Sequence, residues 1–138
     1  MAVSRRGGRG ISRFRLHSPA KFKRVYRAGG ESTLKDGMTK EVGLNDMLLE
    51  TKEEIPVGAR VYIEFKLPDG HEIKTEGIVT QCTPSEKEFW EIEVKFVGLS
   101  PKDRTAIDMA GYRSWIQQDP YMRTMRTPYE PGKSEKEK

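Results

Sequence analysis

The arginines near the N-terminus have the side chains and the spacing to bind a phosphate-bearing ligand. A guanidinium group pairs with phosphate through two hydrogen bonds, recognises the O6/N7 edge of guanine and stacks on a base. Arg9 and Arg13 are four residues apart and are therefore suited to a guanine nucleotide. Arg5 and Arg9 have the same spacing, so the register of the pair stays open. The simpler alternative is a solvated tail that only keeps the chain soluble.

The positive charge of the chain is concentrated in this segment. The first thirty residues contain nine Lys or Arg and no Asp or Glu, whereas the 138 residues together have 25 basic and 21 acidic side chains. The other 108 residues therefore carry 16 basic and 21 acidic side chains. A basic arm of this kind binds an anion, which is phosphate, nucleic acid or the acidic surface of a protein.

Catalysis has little support in the sequence. His17 and His71 have no neighbours at metal-ligand spacing, and the motifs of zinc proteases, P-loop proteins and serine hydrolases are missing. The glycines at 7–10 have no predicted strand before them or helix after them, so they do not form a phosphate loop. Cys82 is the only cysteine, and no apolar run approaches about 18 residues. We therefore expect a cytoplasmic protein that is not an enzyme, with no metal and no cofactor.

Several stretches alternate between apolar and polar residues with period two, which is typical of half-buried strands. The clearest are 60–67 and 89–97, and between them 71–81 contains Gly77, which suggests a bulge or a sharp bend. Shorter strands are expected at 21–26, 38–42 and 47–51. Six short strands, with turn residues about every 8–12 positions, indicate an all-β barrel or sandwich.

One helix is expected after the last strand. Ser100 suits the N-cap and Pro101 the first helical position, and Asp103 suits the positive end of the helix dipole. The helix should extend from about residue 101 to 117. Its apolar face is predicted to contain Ala106, Met109, Tyr112 and Ile116.

Taken in order, these features resemble the PilZ family of bacterial cyclic di-GMP receptors. The landmarks span residues 9–115 and are the arginine pair, the strand entry at 19–22, the turn at 41–49, the segments 55–61 and 67–70, and the strand-to-helix passage at 94–103. The resemblance implies a six-stranded antiparallel β-barrel with one C-terminal α-helix. The chain then divides into a flexible basic arm at 1–18, the barrel with its helix at 19–118, and a disordered tail at 119–138.

The resemblance also implies a ligand site built from two motifs. The first is RxxxR in the arm, which Arg9 and Arg13 match. The second is [D/N]xSxxG on a turn of the barrel, and it is altered here at each of its three defining positions. The residues that the resemblance assigns to cyclic di-GMP are Arg5, Arg6, Arg9, Arg13, Glu41, Gly43 and Asp46.

Each change in the second motif weakens the expected site. Glu41 keeps a carboxylate, but its extra methylene shifts the acceptor by about 1.5 Å. Gly43 lacks the hydroxyl of serine, a loss of about 1 kcal/mol. Asp46 places a negative charge near the phosphates, at a cost of about 3 kcal/mol for a separation of about 5 Å and an effective dielectric of about 20. Together these changes weaken binding by about two to three decades.

Three functions remain open from the sequence. The first is a regulatory module of the cyclic di-GMP system with weak or lost dinucleotide binding, which acts on a protein partner through the arm and the exposed side of the helix. The second is a working cyclic di-GMP receptor that uses Arg9, Arg13 and Glu41. The third is a small barrel that binds nucleic acid, which the outward-facing glutamates of the strands disfavour. The resemblance implies that the regulated process is motility or surface behaviour.

Overall fold

The computed structural model describes residues 13–30 and 32–118. These residues form a mainly β domain followed by one helix, as the sequence predicts. The strands are β1 (Phe14–Arg15), β2 (Pro19–Val25), β3 (Lys35–Val42), β4 (Asp46–Thr51), β5 (Arg60–Lys66), β6 (Glu72–Pro84) and β7 (Trp90–Val97), and the helix is α1 (Pro101–Gln118). The predicted tail at 119–138 and most of the predicted arm lie outside the described residues.

Six of the strands close into an antiparallel barrel. Their order is β3-β2-β5-β6-β7-β4, and pairing between β3 and β4 completes the ring. The alternative of a sandwich is thereby excluded, and the predicted six-stranded barrel is confirmed. The seventh strand, β1, pairs with the end of β3, where Phe14 lies opposite Val42 and Arg15 opposite Glu41. It therefore pairs with the part of the β3 edge that lies beyond the residues paired with β2.

The core fills the inside of the barrel, because alternate residues of each strand point inward. In β5 the inward residues Val61, Ile63 and Phe65 are buried, and the residues between them are not. Burial of a side chain of this size contributes about 1.5–3 kcal/mol. The buried polar residues are Thr39, Thr51 and Thr75. The Thr39 hydroxyl accepts a hydrogen bond from the Ser18 amide at 2.9 Å and donates one to the Leu16 carbonyl.

Gly77 has a different role from the predicted bulge. It stays in register opposite Phe96, and the register between β6 and β7 shifts instead between Val79 and Gln81. A Cβ at residue 77 would lie 2.7 Å from the Lys95 carbonyl oxygen and would also collide with the Val94 side chain. The glycine is therefore required for close approach of β7 to β6.

The helix begins as predicted, but its buried face is not the predicted one. The Asp103 amide donates to the Ser100 hydroxyl at 3.0 Å, which is the expected N-cap. The most buried helical residues are Ile107 and Ala110, whereas the predicted set of Ala106, Met109, Tyr112 and Ile116 is only half-buried. Apolar residues occur on several sides of this helix, so their periodicity alone could not show which row of residues contacts the barrel.

The predicted boundaries between arm, barrel and tail stay predictions. Within the predicted arm, residues 14–15 form β1, and Leu16 donates a backbone hydrogen bond to Lys40 at 3.1 Å. Among the described residues, no helix is both long and apolar enough to cross a membrane.

Candidate ligand-binding site

The turn between β3 and β4 contains the altered second motif, and backbone hydrogen bonds hold it in place. The Gly43 amide donates to the Asp46 carbonyl at 2.9 Å, which closes the turn. The Phe96 amide of β7 donates to the Asn45 carbonyl, also at 2.9 Å. Lys87 alone, among the described non-glycine residues, has a positive φ, so neither Asn45 nor Asp46 uses the left-handed region. The turn is thus fixed to the neighbouring strand without backbone strain.

Arg13 lies on the outside of the barrel beside this turn, within reach of three carboxylates. Its Nη2 donates to Glu93 Oε2 at 3.0 Å. Its Nε lies 3.3 Å from Asp46 Oδ1, and its Nη1 lies 3.8 Å from Glu41 Oε1. The three acids come from the ends of β3 and β4 and from the middle of β7. One guanidinium therefore joins three strands, which we call the Arg13 clamp.

The Arg13 clamp is partly shielded from water. The side chains of Arg13 and Glu93 are each 15% exposed, and those of Asp46 and Glu41 are 26% and 41% exposed. Partial burial makes the ion pairs stronger than pairs at a fully exposed surface. Three carboxylates surround one guanidinium, so the group has a formal charge of −2. An anionic ligand would meet a net negative site.

The negative surface extends beyond the clamp. Glu50 of β4 and Glu91 of β7 lie opposite each other in the neighbouring row of residues. Glu91 pairs with Lys40 of β3 at 3.4 Å, and Glu50 accepts a long hydrogen bond from Ser85. We call the outer surface of β3, β4 and β7 the acidic face. It contains Glu41, Asp46, Glu50, Glu91 and Glu93, together with the lysines Lys40 and Lys95.

The structure brings together part of the predicted ligand site. Arg13, Glu41 and Asp46 are neighbours, and the backbone of Gly43 closes the turn between two of them. Glu93 was missed by sequence reasoning as a site residue, although its alternation placed it on the outside of a strand. Only the pairing of β7 with β4 puts it beside Arg13, since Glu93 lies opposite Leu48. The other predicted residues, Arg5, Arg6 and Arg9, lie outside the described residues.

The histidines and acids form no metal centre in the part of the chain that is described. His17 is exposed. The Nε2 of His71 is 2.9 Å from Asp103 Oδ1, which ties the β5–β6 turn to the start of α1. His71 is therefore half-buried and has a structural contact.

Comparison with known proteins identifies the domain. A family model for the PilZ domain matches residues 13–110. No curated protein sequence matches the chain.

Several solved structures have a similar fold. The Bacillus subtilis inhibitor of motility (MotI/DgrA) has 11% identity and a TM-score of 0.68 over 84% of this chain and 54% of that one. The PilZ domain of YcgR from Escherichia coli, solved with c-di-GMP, has 10% identity and a TM-score of 0.59 over 85% of this chain and 98% of that one. The K. pneumonia MrkH–c-di-GMP complex has 18% identity and a TM-score of 0.62 over 86% of this chain and 55% of that one.

At these identities the similarity shows the fold alone. The chain spans about half the length of MotI and MrkH and nearly all of the YcgR domain. The family model, in contrast, matches well over half of this chain, and it includes Arg13, the altered turn and most of α1. The chain therefore belongs to the PilZ domain family.

Proposed function

We propose that this protein is a regulatory module of the cyclic di-GMP system in which dinucleotide binding is weak or lost. It acts through a protein partner rather than by catalysis. The observation that carries the proposal is the Arg13 clamp. The guanidinium that the family motif assigns to the ligand is paired with Glu41, Asp46 and Glu93.

The charges of the clamp oppose a dinucleotide with two phosphates. A phosphate that recruited Arg13 would have to separate it from Glu93 at 3.0 Å and Asp46 at 3.3 Å. The carboxylates left behind would then face the phosphates, and each like-charge pair at about 5 Å costs about 3 kcal/mol at an effective dielectric of about 20. Glu93 adds one such charge to those that the altered motif already contains. We therefore expect the affinity for the dinucleotide to fall by at least the loss of about two to three decades that the changes in the motif predict by themselves.

The related structures support the choice of signalling system. The YcgR domain and MrkH are described in complex with c-di-GMP, and MotI is described as an inhibitor of motility. For this chain we propose a role of the same kind, in motility or surface behaviour.

The proposed contact surfaces are the basic arm and the exposed side of α1. Trp115 is half exposed on that side and stacks at a tilt on Tyr112, with ring centroids 5.9 Å apart. Aromatic side chains such as Trp115 are enriched in the cores of protein interfaces.

Isothermal titration with cyclic di-GMP tests the proposal. The wild-type chain should show no binding tighter than about 10 μM, which corresponds to about −7 kcal/mol. A variant that restores the motif, Glu41→Asp with Gly43→Ser and Asp46→Gly, should gain affinity by about two decades or more, because a hydroxyl is regained and a charge is removed.

Glu76→Gln is the matched control for this titration. It also removes one negative charge, but Glu76 pairs with Arg60 at 2.8 Å between β5 and β6, away from the turn. It should leave the affinity unchanged. Wild-type binding tighter than about 10 μM would refute the loss of affinity.

The working receptor remains the second candidate, because Arg13 and Glu41 do lie together. In addition, Arg13 Nη1 is buried and has no hydrogen-bond partner among the described residues, so it has hydrogens to donate to a ligand oxygen. This candidate expects a measurable wild-type affinity that Arg13→Ala and Arg9→Ala each abolish. Titrations that are unchanged by both substitutions would exclude it.

A further inference from the structure

Strand β1 is held at its two ends by different interactions. On the downstream side, Leu16 donates its amide to the Lys40 carbonyl at 3.1 Å and its own carbonyl accepts from the Thr39 hydroxyl. On the upstream side, the Arg13 side chain reaches the three carboxylates of the clamp. A strand of two residues has few backbone hydrogen bonds of its own, so the clamp contributes much of what fixes its first residue.

Phe14 lies between these two attachments and supports the helix. Phe14 packs on the barrel core from one side. On the other side it meets Gly111 of α1, where a Cβ would lie only 3.0 Å from Phe14 Cδ1. The glycine lets the helix backbone approach the phenyl ring closely, and β1 is the strand that α1 contacts most.

Beyond this contact the side chains of the helix are less buried. Ala110 is its last fully buried residue, and the side chains from Gly111 to Gln117 are half-buried or exposed. Trp115 is the large apolar side chain most exposed there, at 50%. Phe14 therefore supports α1 where its second half begins.

The altered turn also contacts the helix. Arg104 Nη1 donates to the Leu44 carbonyl at 3.5 Å, a long hydrogen bond between the first half of α1 and the turn that contains Gly43. Phe14, which follows Arg13, and the altered turn thus both contact the same helix.

We propose that Arg13 is a positioning residue that couples the acidic face to the second half of α1. The three carboxylates hold the Arg13 side chain in place. Arg13 in turn holds Phe14, the next residue in the chain, and Phe14 supports the helix at Gly111. A basic side chain of a partner that pairs with Glu93 in place of Arg13 would release the first residue of β1 and loosen the surface around Trp115. The inference rests on the proposed function, because it describes how the altered ligand site would control the helical contact surface.

Hydrogen–deuterium exchange of the full chain, with no nucleotide present, tests the coupling. Arg13→Gln and Glu93→Gln break the clamp from its two sides, and each should speed amide exchange at residues 111–118 by about fivefold or more. Phe14→Ala should have the same effect with the clamp intact. Lys21→Gln is the matched control, because it breaks the 2.7 Å ion pair between Lys21 and Asp36, which does not involve β1.

Fluorescence of Trp115 gives a second readout. The chain has two tryptophans, so Trp90→Phe leaves Trp115 as the only tryptophan, which is excited selectively at wavelengths that tyrosine does not absorb. In that background Arg13→Gln should shift the emission to longer wavelength, and Lys21→Gln should not.

Three results would overturn the inference. They are unchanged exchange at 111–118 in both clamp variants, equal acceleration in β5 and β6, and no effect of Phe14→Ala. Because the assay contains no cyclic di-GMP, such a result would leave the titration that tests the proposed function unaffected.

Discussion

Arg13 shows why the type of basic residue matters at this site. A guanidinium has five donor hydrogens in a planar fork, so its three nitrogens can face three acceptors at once. Here Nη2 faces Glu93, Nε faces Asp46 and Nη1 faces Glu41. A lysine also has three donor hydrogens, but all are on one nitrogen, so the three carboxylates would have to converge on a single atom. The three acids repel one another, and the single guanidinium offsets that repulsion.

Gly77 provides a residue-scale prediction about stability. Gly77→Ala should lower the free energy of unfolding by about 1–3 kcal/mol, because the new Cβ meets a backbone carbonyl that cannot move without distorting β7. Urea unfolding followed by circular dichroism measures the change. Gly30→Ala is the control, since its Cβ would meet no described atom within 4 Å. Equal stability of the two variants would contradict the steric argument.

Tyr62 provides a prediction about pH. Burial, with help from the hydrogen bond to Glu64 at 2.8 Å, raises the pKa of Tyr62 from 10.0 to about 12. The unfolded chain loses this proton near pH 10 and the folded chain keeps it. The contribution to stability is therefore complete below pH 10 and is lost as the pH rises from about 10 to about 12.

The measurement is the free energy of unfolding against pH for the wild type and Tyr62→Phe. The wild type should lose stability more steeply above pH 10, where its unfolded chain releases the extra proton. Glu64→Gln should lower the pKa of Tyr62 in an absorbance titration at high pH. Parallel stability curves for the wild type and Tyr62→Phe would contradict the raised pKa.

At the scale of elements, each strand of the barrel contributes one row of residues to the core and one to the surface. In β4 the inward residues Met47, Leu49 and Thr51 are buried, while Asp46 and Glu50 lie on the acidic face. A slip of one residue would exchange the two sets, so the buried row fixes which carboxylates face Arg13. The packing of the core therefore determines the charge pattern of the surface.

The start of α1 provides the prediction at this scale. Ser100→Ala should lower the free energy of unfolding by about 1 kcal/mol, because the Asp103 amide loses the acceptor that lies 3.0 Å away. Thermal and urea unfolding measure the loss. Thr105→Ala, at an exposed position within the helix, should change stability by less than about 0.5 kcal/mol. A Ser100→Ala variant as stable as the wild type would show that the cap contributes nothing.

At the scale of the whole molecule, barrel closure brings the site together. The three carboxylates of the clamp come from β3, β4 and β7. Glu41 and Glu93 are far apart in the sequence. Pairing of β3 with β4 and of β4 with β7 makes these strands neighbours. Arg13 then lies among carboxylates of three strands of its own barrel.

Shortened chains test where the folded unit begins. Every buried core residue lies between Ala20 and Ala110, so a chain of residues 13–118 should unfold within a few degrees of the full chain. A chain of residues 19–118 follows the boundary predicted from sequence but lacks Arg13, Phe14 and Leu16. It should lose about 2 kcal/mol and unfold about 8 °C or more lower. Equal melting temperatures for the two shortened chains would place the boundary at residue 19 after all.

The sequence by itself determined the local parts of this protein. Period-two alternation located β5 and β7, and the Ser100-Pro101-Asp103 pattern located the start of α1, since each depends on near neighbours in the chain. The motif positions also led to Arg13, Glu41 and Asp46 as candidate site residues.

Only the tertiary structure decided what those residues contact. Glu93 joins Arg13 through strand order, and Phe14 meets Gly111 through the path of the helix across the barrel. Such contacts cannot be predicted from residue type or from separation in the sequence, because they depend on how the strands close into a ring. For the same reason the most buried line of α1, through Ile107 and Ala110, could not be selected from its apolar pattern alone.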